Sequence, residues 1–234
     1  MKYSDNNLQQ KLTLMQLADS FFPSGSYTLS HGLETLVQQR RISNGSDLLS
    51  FVKILLHNKI ASCDLVALIY SYQGSAANDL DLVRQADTRL FAQTAIAINR
   101  HTQRQSGRAL LMVARSTWKS SQLETLAQDS VHNRFHCLHP VIFGVVGNIA
   151  GIDLNDTALA FLHSLMTSLL GAAIRLGIIG YLEAQKILLQ LATDIEISLH
   201  NALNTELAHM WSCTPQIDLA QMHHSKLGTR LFAS

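Results

Sequence analysis

Eleven histidines are many for a chain of 234 residues. Four metal-capable side chains gather in the run His132-Asn133-Arg134-Phe135-His136-Cys137-Leu138-His139. On a helix spanning this run, His132 and His136 stand four apart and share a face, as two imidazoles on one metal ion require. His139 would end that helix just before Pro140. The same histidines equally suit a polar helix face or hydrogen bonds at a helix end. His224, beside His223, is a second candidate ligand. A basic stripe follows the same logic. Arg100, Arg104, Arg108, Arg115 and Lys119 lie within roughly 100° of one another on a single expected helix. They form either a solvated face or a surface that steers an acidic partner. The apolar pieces Phe21-Phe22-Pro23 and Leu231-Phe232 serve either as anchors in a partner's pocket or as plugs in the chain's own core.

These groups must be held by helices. No proline occurs between Pro23 and Pro140, and proline is the residue that most disrupts a helix interior. Leu48, Leu49, Val52, Leu55 and Leu56 trace one helical face, with Ser46 placed to cap it. Ser121 with Glu124, and Thr193 with Glu196, have capping-box spacing. No sustained β-type alternation is present. The pattern predicts helices near 8–20, 30–40, 47–60, 61–72, 79–91, 94–118, 122–137, 140–150, 156–172, 181–191 and 194–210, some of them fused. The expected fold is all-α: one domain over 1–234, a bundle of roughly ten helices. Residues 1–7 and a flexible C-terminal tail, 212–234, are expected to be mobile or extended.

Composition narrows the function. The 18 basic and 17 acidic residues leave a net charge of +1, without the basic excess a general nucleic-acid binder needs. Charged residues make up 15% of the chain, against about 25% in ordinary soluble domains, so part of the surface is expected to be covered by another protein. Cys63, Cys137 and Cys213 are odd in number and far apart, which argues for reduced thiols rather than a disulfide framework. The polar opening MKYSDNNLQQ has no apolar core of a signal peptide. The apolar stretches 141–152 and 169–180 are shorter than the ~20 residues of a membrane span. A cytoplasmic protein without membrane attachment is expected. The phosphate-cradling G-x-x-x-x-G-K-[ST], G-x-S-x-G and H-E-x-x-H are all missing, which argues against an enzyme.

Seven stretches, making five motifs in order, then resemble one family. Leu14-Met15-Gln16-Leu17-Ala18-Asp19-Ser20, Pro23-Ser24-Gly25-Ser26-Tyr27 and Ser30-His31-Gly32-Leu33-Glu34 resemble the N-terminal signature of urease accessory proteins of the UreF type. Ser106-Gly107-Arg108-Ala109-Leu110-Leu111 resembles that family's middle helix, and His139-Pro140-Val141-Ile142-Phe143-Gly144 a following segment. Gly171-Ala172-Ala173-Ile174-Arg175-Leu176-Gly177 with Gly180 resembles A-A-[VI]-[RK]-L-x-x-x-G, and Arg230-Leu231-Phe232-Ala233-Ser234 the terminal R-L-F-x-S. The family tail reads H-E-x-x-Y-[ST]-R-L-F, whereas here Ser225 follows His224 and Gly228 replaces the tyrosine.

The resemblance implies an all-α homodimer with no catalysis and no cofactor of its own. It implies a complex with UreD (also called UreH) and with the GTPase UreG, which binds the GTP and delivers nickel to apo-urease. It points to Glu34, Arg175 and Arg230 as partner contacts, joined by Pro23, Gly25, Tyr27, Arg108, Leu231 and Phe232. His132, His136 and Cys137 lie outside the family pattern. A metal-binding or metal-storage protein built on the His132–His139 cluster is the alternative expectation.

Overall fold

Helix α8, His139–Ile149, starts where Pro140 occupies the first turn, a place where its missing N–H costs no hydrogen bond. Every residue from Pro140 to Gly147 is buried, so α8 is apolar all round and must be enclosed. It packs mainly against α4 (Leu65–Ala76), α6 (Ala97–Thr117) and α9 (Leu154–Arg175). A computed structural model supplies this architecture for residues 5–19, 30–224, 227–228 and 230–232, with the side chains of residues 5–7 also outside the description. Among the described residues there is no strand.

The remaining helices wrap this centre. In chain order they are α1 (Asp5–Ala18), α2 (Leu33–Gln38), α3 (Gly45–Leu55), α5 (Leu80–Gln93), α7 (Ser121–Val131), α10 (Tyr181–Gln190), α11 (Ala192–Leu203) and α12 (Pro215–His224). The two helices expected at 47–60 and 61–72 fuse through a π-helical segment, Leu56–Asp64. Its wider turns leave carbonyls for other partners: Asn58 and Ser62 accept hydrogen bonds from the backbone N–H groups of Cys213 and Trp211 at 2.9 and 3.1 Å. Nothing in the hydrophobic spacing announces such a segment.

Several local expectations give way. Asn44, not Ser46, caps α3, accepting from the Asp47 N–H at 3.0 Å. Neither capping box forms: Ser120 precedes α7 without a side-chain cap, and Glu124 pairs with Arg115 instead. Helix α1 begins at Asp5, inside the stretch expected to be extended. The tail expected to be extended from residue 212 contains α12, whose buried face is Ile217, Ala220, Gln221 and His224. Half of that face is polar, so hydrophobic periodicity does not reveal it. Helix α9 is long and apolar enough by length and composition to cross a membrane, which the shorter apolar runs did not suggest; 61% of its apolar window is buried inside the fold, as in a core helix.

Glycine permits one decisive crossing. A Cβ at Gly107 of α6 would lie 2.0 Å from the carbonyl oxygen of Cys137. Replacing Gly107 with alanine should therefore destabilise the chain by about 2–4 kcal/mol in urea denaturation. Gly177, whose cost would be its left-handed φ of 74° in open space, should lose only about 1 kcal/mol as alanine.

Candidate functional site

The turn before α2 is left-handed at both His31 (φ 51°) and Gly32 (φ 82°). It brings α2 against α12, with the Gly32 hydrogen position facing the Ile217 carbonyl and Gln221. Glu34, in the first turn of α2, is thereby buried to 1% exposure. An ionised carboxylate in such a place must be fully hydrogen-bonded. Its Oε2 lies 2.8 Å from Nε2 of His224, at the end of α12. The N–H groups of Leu231 and Phe232 donate to Oε1 and Oε2 at 2.7 and 3.3 Å. One carboxylate thus holds both the last helix and the terminal R-L-F segment.

The Phe232 ring is in turn covered by the Arg175 guanidinium, 4.6 Å from the ring centroid, a cation–π contact. Arg175 ends α9, which closes in a Schellman turn: Gly177 N–H donates to Ile174 and Ile178 N–H to Ala173. Phe232 is buried, whereas Leu231 is 70% exposed and Arg230 is exposed. Glu34, Arg175, Arg230, Leu231 and Phe232, spread over the sequence, therefore meet at one place. Glu34 and Phe232 face inward there, not outward as partner contacts. His224 is tied to Glu34 rather than placed to bind a metal. Pro23, Gly25 and Tyr27 lie outside the described residues.

The histidine run behaves differently from its expected helix. Helix α7 stops at Val131 because Asn133 turns left-handed (φ 57°), with Arg134 N–H closing onto the Asp129 carbonyl. His132 and His136 consequently do not share a helix face. His132 Nδ1 lies 2.8 Å from the Gln128 carbonyl, and His136 stacks on Phe91 at 3.8 Å between ring centroids. His139 begins α8 rather than ending α7. Among the described residues no group of three or more His, Cys, Asp or Glu side chains is arranged to hold a metal ion.

Asp87 holds this loop from beneath, its carboxylate accepting from the N–H groups of His136 and Leu138 at 2.5 and 2.9 Å. Burial raises its pKa to about 6 against those hydrogen bonds. Asp87 occupies the apolar face of α5 with Val83, Ala86 and Leu90, and an acid on a core-facing position was the available sequence signal for it. Burial also pushes the Cys63 and Cys137 thiols up to about 12, which disfavours the reactive thiolate form of both.

A second polar cluster surrounds a narrow cavity of about 50 Å³ lined by His31, Lys59, Asp64, Gln103, Ser106 and His139. Asp64 Oδ2, Gln103 Oε1 and His139 Nε2 are buried without a protein partner, and the space suits a few water molecules. Burial lowers the pKa of both His31 and His139 to about 4, and for His31 nearby Lys59 adds to the effect. Lys59 and Asp64 are charged residues among the buried positions of the π-helical segment.

The described residues thus form an all-helical bundle in which one buried carboxylate ties the C-terminal segment back to α2. A family model described as UreF matches residues 42–192. The chain is 57% identical over 230 residues to the urease accessory protein UreF of Trichodesmium erythraeum, covering 98% of this chain and 99% of that one. It is 32% identical over 218 residues to that of Granulibacter bethesdensis (91% and 89% of the two chains) and 29% over 226 to that of Bradyrhizobium diazoefficiens (94% and 90%). The chain belongs to the UreF family of urease accessory proteins.

Two outcomes follow from this geometry. Glu34→Ala leaves a buried histidine and two N–H groups without their acceptor, and should cost about 3 kcal/mol or more in urea denaturation. Trypsin should also cleave at Arg230 much faster in that variant. Acid should weaken the fold through the two half-buried histidines His31 and His139: unfolded, each binds a proton near pH 6.5, but folded only near 4. Stability contributed by each is therefore lost as pH falls from 6.5 to 4, by up to about 3 kcal/mol. Asp87, raised to about 6, acts in the opposite sense over the lower part of that window. Comparing unfolding of the wild type and His139→Gln across it isolates His139; the variant should lose less stability on acidification.

Proposed function

We propose that this protein is a non-catalytic scaffold in the cytoplasmic complex that delivers nickel to apo-urease. In this reading it forms a homodimer, binds UreD (UreH) and recruits the GTPase UreG, so that GTP hydrolysis on UreG is coupled to metal release. Nickel is cargo and GTP belongs to UreG; this chain supplies surfaces and no cofactor. The family membership and its relatives' being urease accessory proteins support an accessory role in urease maturation.

The observation that carries the reading further is the Glu34 anchor. By fixing Leu231 and Phe232, it presents Arg230 and Leu231 to the outside beside the end of α9. An arginine fork beside an exposed leucine is well suited to a partner carboxylate or helix end flanked by an apolar pocket. Glu34, Arg175 and Phe232 then act by positioning, and Arg230 and Leu231 by contact. Pro23, Gly25, Tyr27 and Arg108 complete the proposed contact set.

The test is affinity co-purification with UreD and UreG, with and without GTP, alongside urease activity in cells. Arg230→Ala and Leu231→Asp change exposed side chains, so both should retain the wild-type melting temperature. Each should reduce partner recovery and urease activation by about tenfold. Normal urease maturation in cells lacking this protein would overturn the reading.

A further inference from the structure

Between Asp87 and Glu124 the chain contains no acidic residue, yet it carries Arg89, Arg100, Arg104, Arg108, Arg115 and Lys119. The fold sorts these cations. Arg100 is spent on the Phe91 ring and the Thr94 carbonyl, and Arg104 is half-buried beside Asp87. Lys119 lies beyond the end of α6. Arg108 and Arg115 remain exposed on α6, with Met112 between them at i, i+4, i+7 spacing, so the three share a face.

That face borders a groove of about 380 Å³ between α6 and α7. Leu111 and Ala127 line it, and Met112 and Val131 stand at its sides, 67% and 79% exposed. The nearby carboxylates are already engaged. Glu124 binds Arg115, and Asp129 is buried between Arg84 and Arg134. Arg108 makes no hydrogen bond or ion pair among the described residues, and Arg115 keeps guanidinium donors beyond those Glu124 uses.

We propose that the α6–α7 groove is a docking site for an acidic amphipathic helix of a partner protein. Apolar residues of that helix would pack on Met112, Leu111 and Val131. Carboxylates about two turns apart would meet Arg108 and Arg115, which themselves stand two turns apart, about 10 Å. The charge complementarity selects an acidic partner, and the apolar side chains select a protein over a polyanion, whose phosphates would have nothing to place against them. The inference rests on reading this chain as a scaffold for protein partners, and it adds a surface remote in sequence from the Glu34 anchor.

The probe is a fluorescein-labelled peptide of roughly 18 residues, helical, with leucines along one face and flanking glutamates. Its binding to the full chain is followed by fluorescence anisotropy, independently of urease maturation. Saturable binding is expected, weakened about tenfold by Arg108→Glu and similarly by Met112→Asp. Raising salt to about 0.5 M should weaken it as well. Both substituted side chains are exposed, so helical circular dichroism should be unchanged. Arg230→Ala should leave peptide binding intact, which separates this surface from the terminal one. The proposal is overturned if the peptide does not bind, if neither groove substitution weakens it, if a lysine-for-glutamate peptide binds equally, or if single-stranded DNA displaces it.

Discussion

At Gly144 the backbone of α8 comes so close to α4 that an added Cβ would lie 2.3 Å from the Leu68 carbonyl oxygen. Two helices can approach this way only where a side chain is missing, and the approach excludes water from the apolar faces on both sides. The α4–α8 pair is the spine on which the other helices rest. The π-helical segment continues α4 backwards and keeps the spine in one piece while offering spare carbonyls to residues 211–213. Through that link the chain entering α12 is fixed relative to the core, and α12 in turn meets α2.

On this frame the buried Glu34 carboxylate has a specific task. Burying a charge is unfavourable unless every lone pair finds a donor, and the donors here come from two distant pieces of chain, His224 and the Leu231–Phe232 backbone. The terminal segment is therefore held by polar satisfaction of Glu34 together with burial of the Phe232 ring. Such an anchor is directional, so it sets which residues of the terminus face out. Arg175 adds to the same arrangement by covering the Phe232 ring from the end of α9. Loss of one member leaves the others unsatisfied, which couples the end of the chain to its beginning.

Charge is distributed with similar economy. Several acids shielded from solvent are matched to nearby donors: Asp87 to a loop backbone, Asp129 to two arginines, and half-buried Asp194 to Lys53 and His57 at 3.1 and 2.8 Å. With so few charged residues, those left exposed on α6 stand out, and the low overall charge concentrates polarity where it has a structural or recognition task. The exposed apolar side chains Met112 and Val131 border the same groove as these arginines.

Helix content and most helix positions were legible in the sequence because spacing of apolar residues is a local property; which helices fuse was not. The same periodicity hid α12, whose inward face carries Gln221 and His224, and it mistook the His132–His139 run for a helix, because Asn133 terminates α7 through a backbone conformation that side-chain spacing does not encode. The residues of the terminal site were also legible one by one, from motif resemblance. Their inward or outward direction was not. By itself the sequence determined an all-helical chain of the UreF type with little charge and a basic stripe. Only the tertiary structure decided that Glu34 is a buried anchor, that Arg230 and Leu231 are its exposed product, and that the histidines stand apart. The physical reason is that burial and hydrogen-bond satisfaction depend on which distant segments meet, a question that local pattern cannot pose.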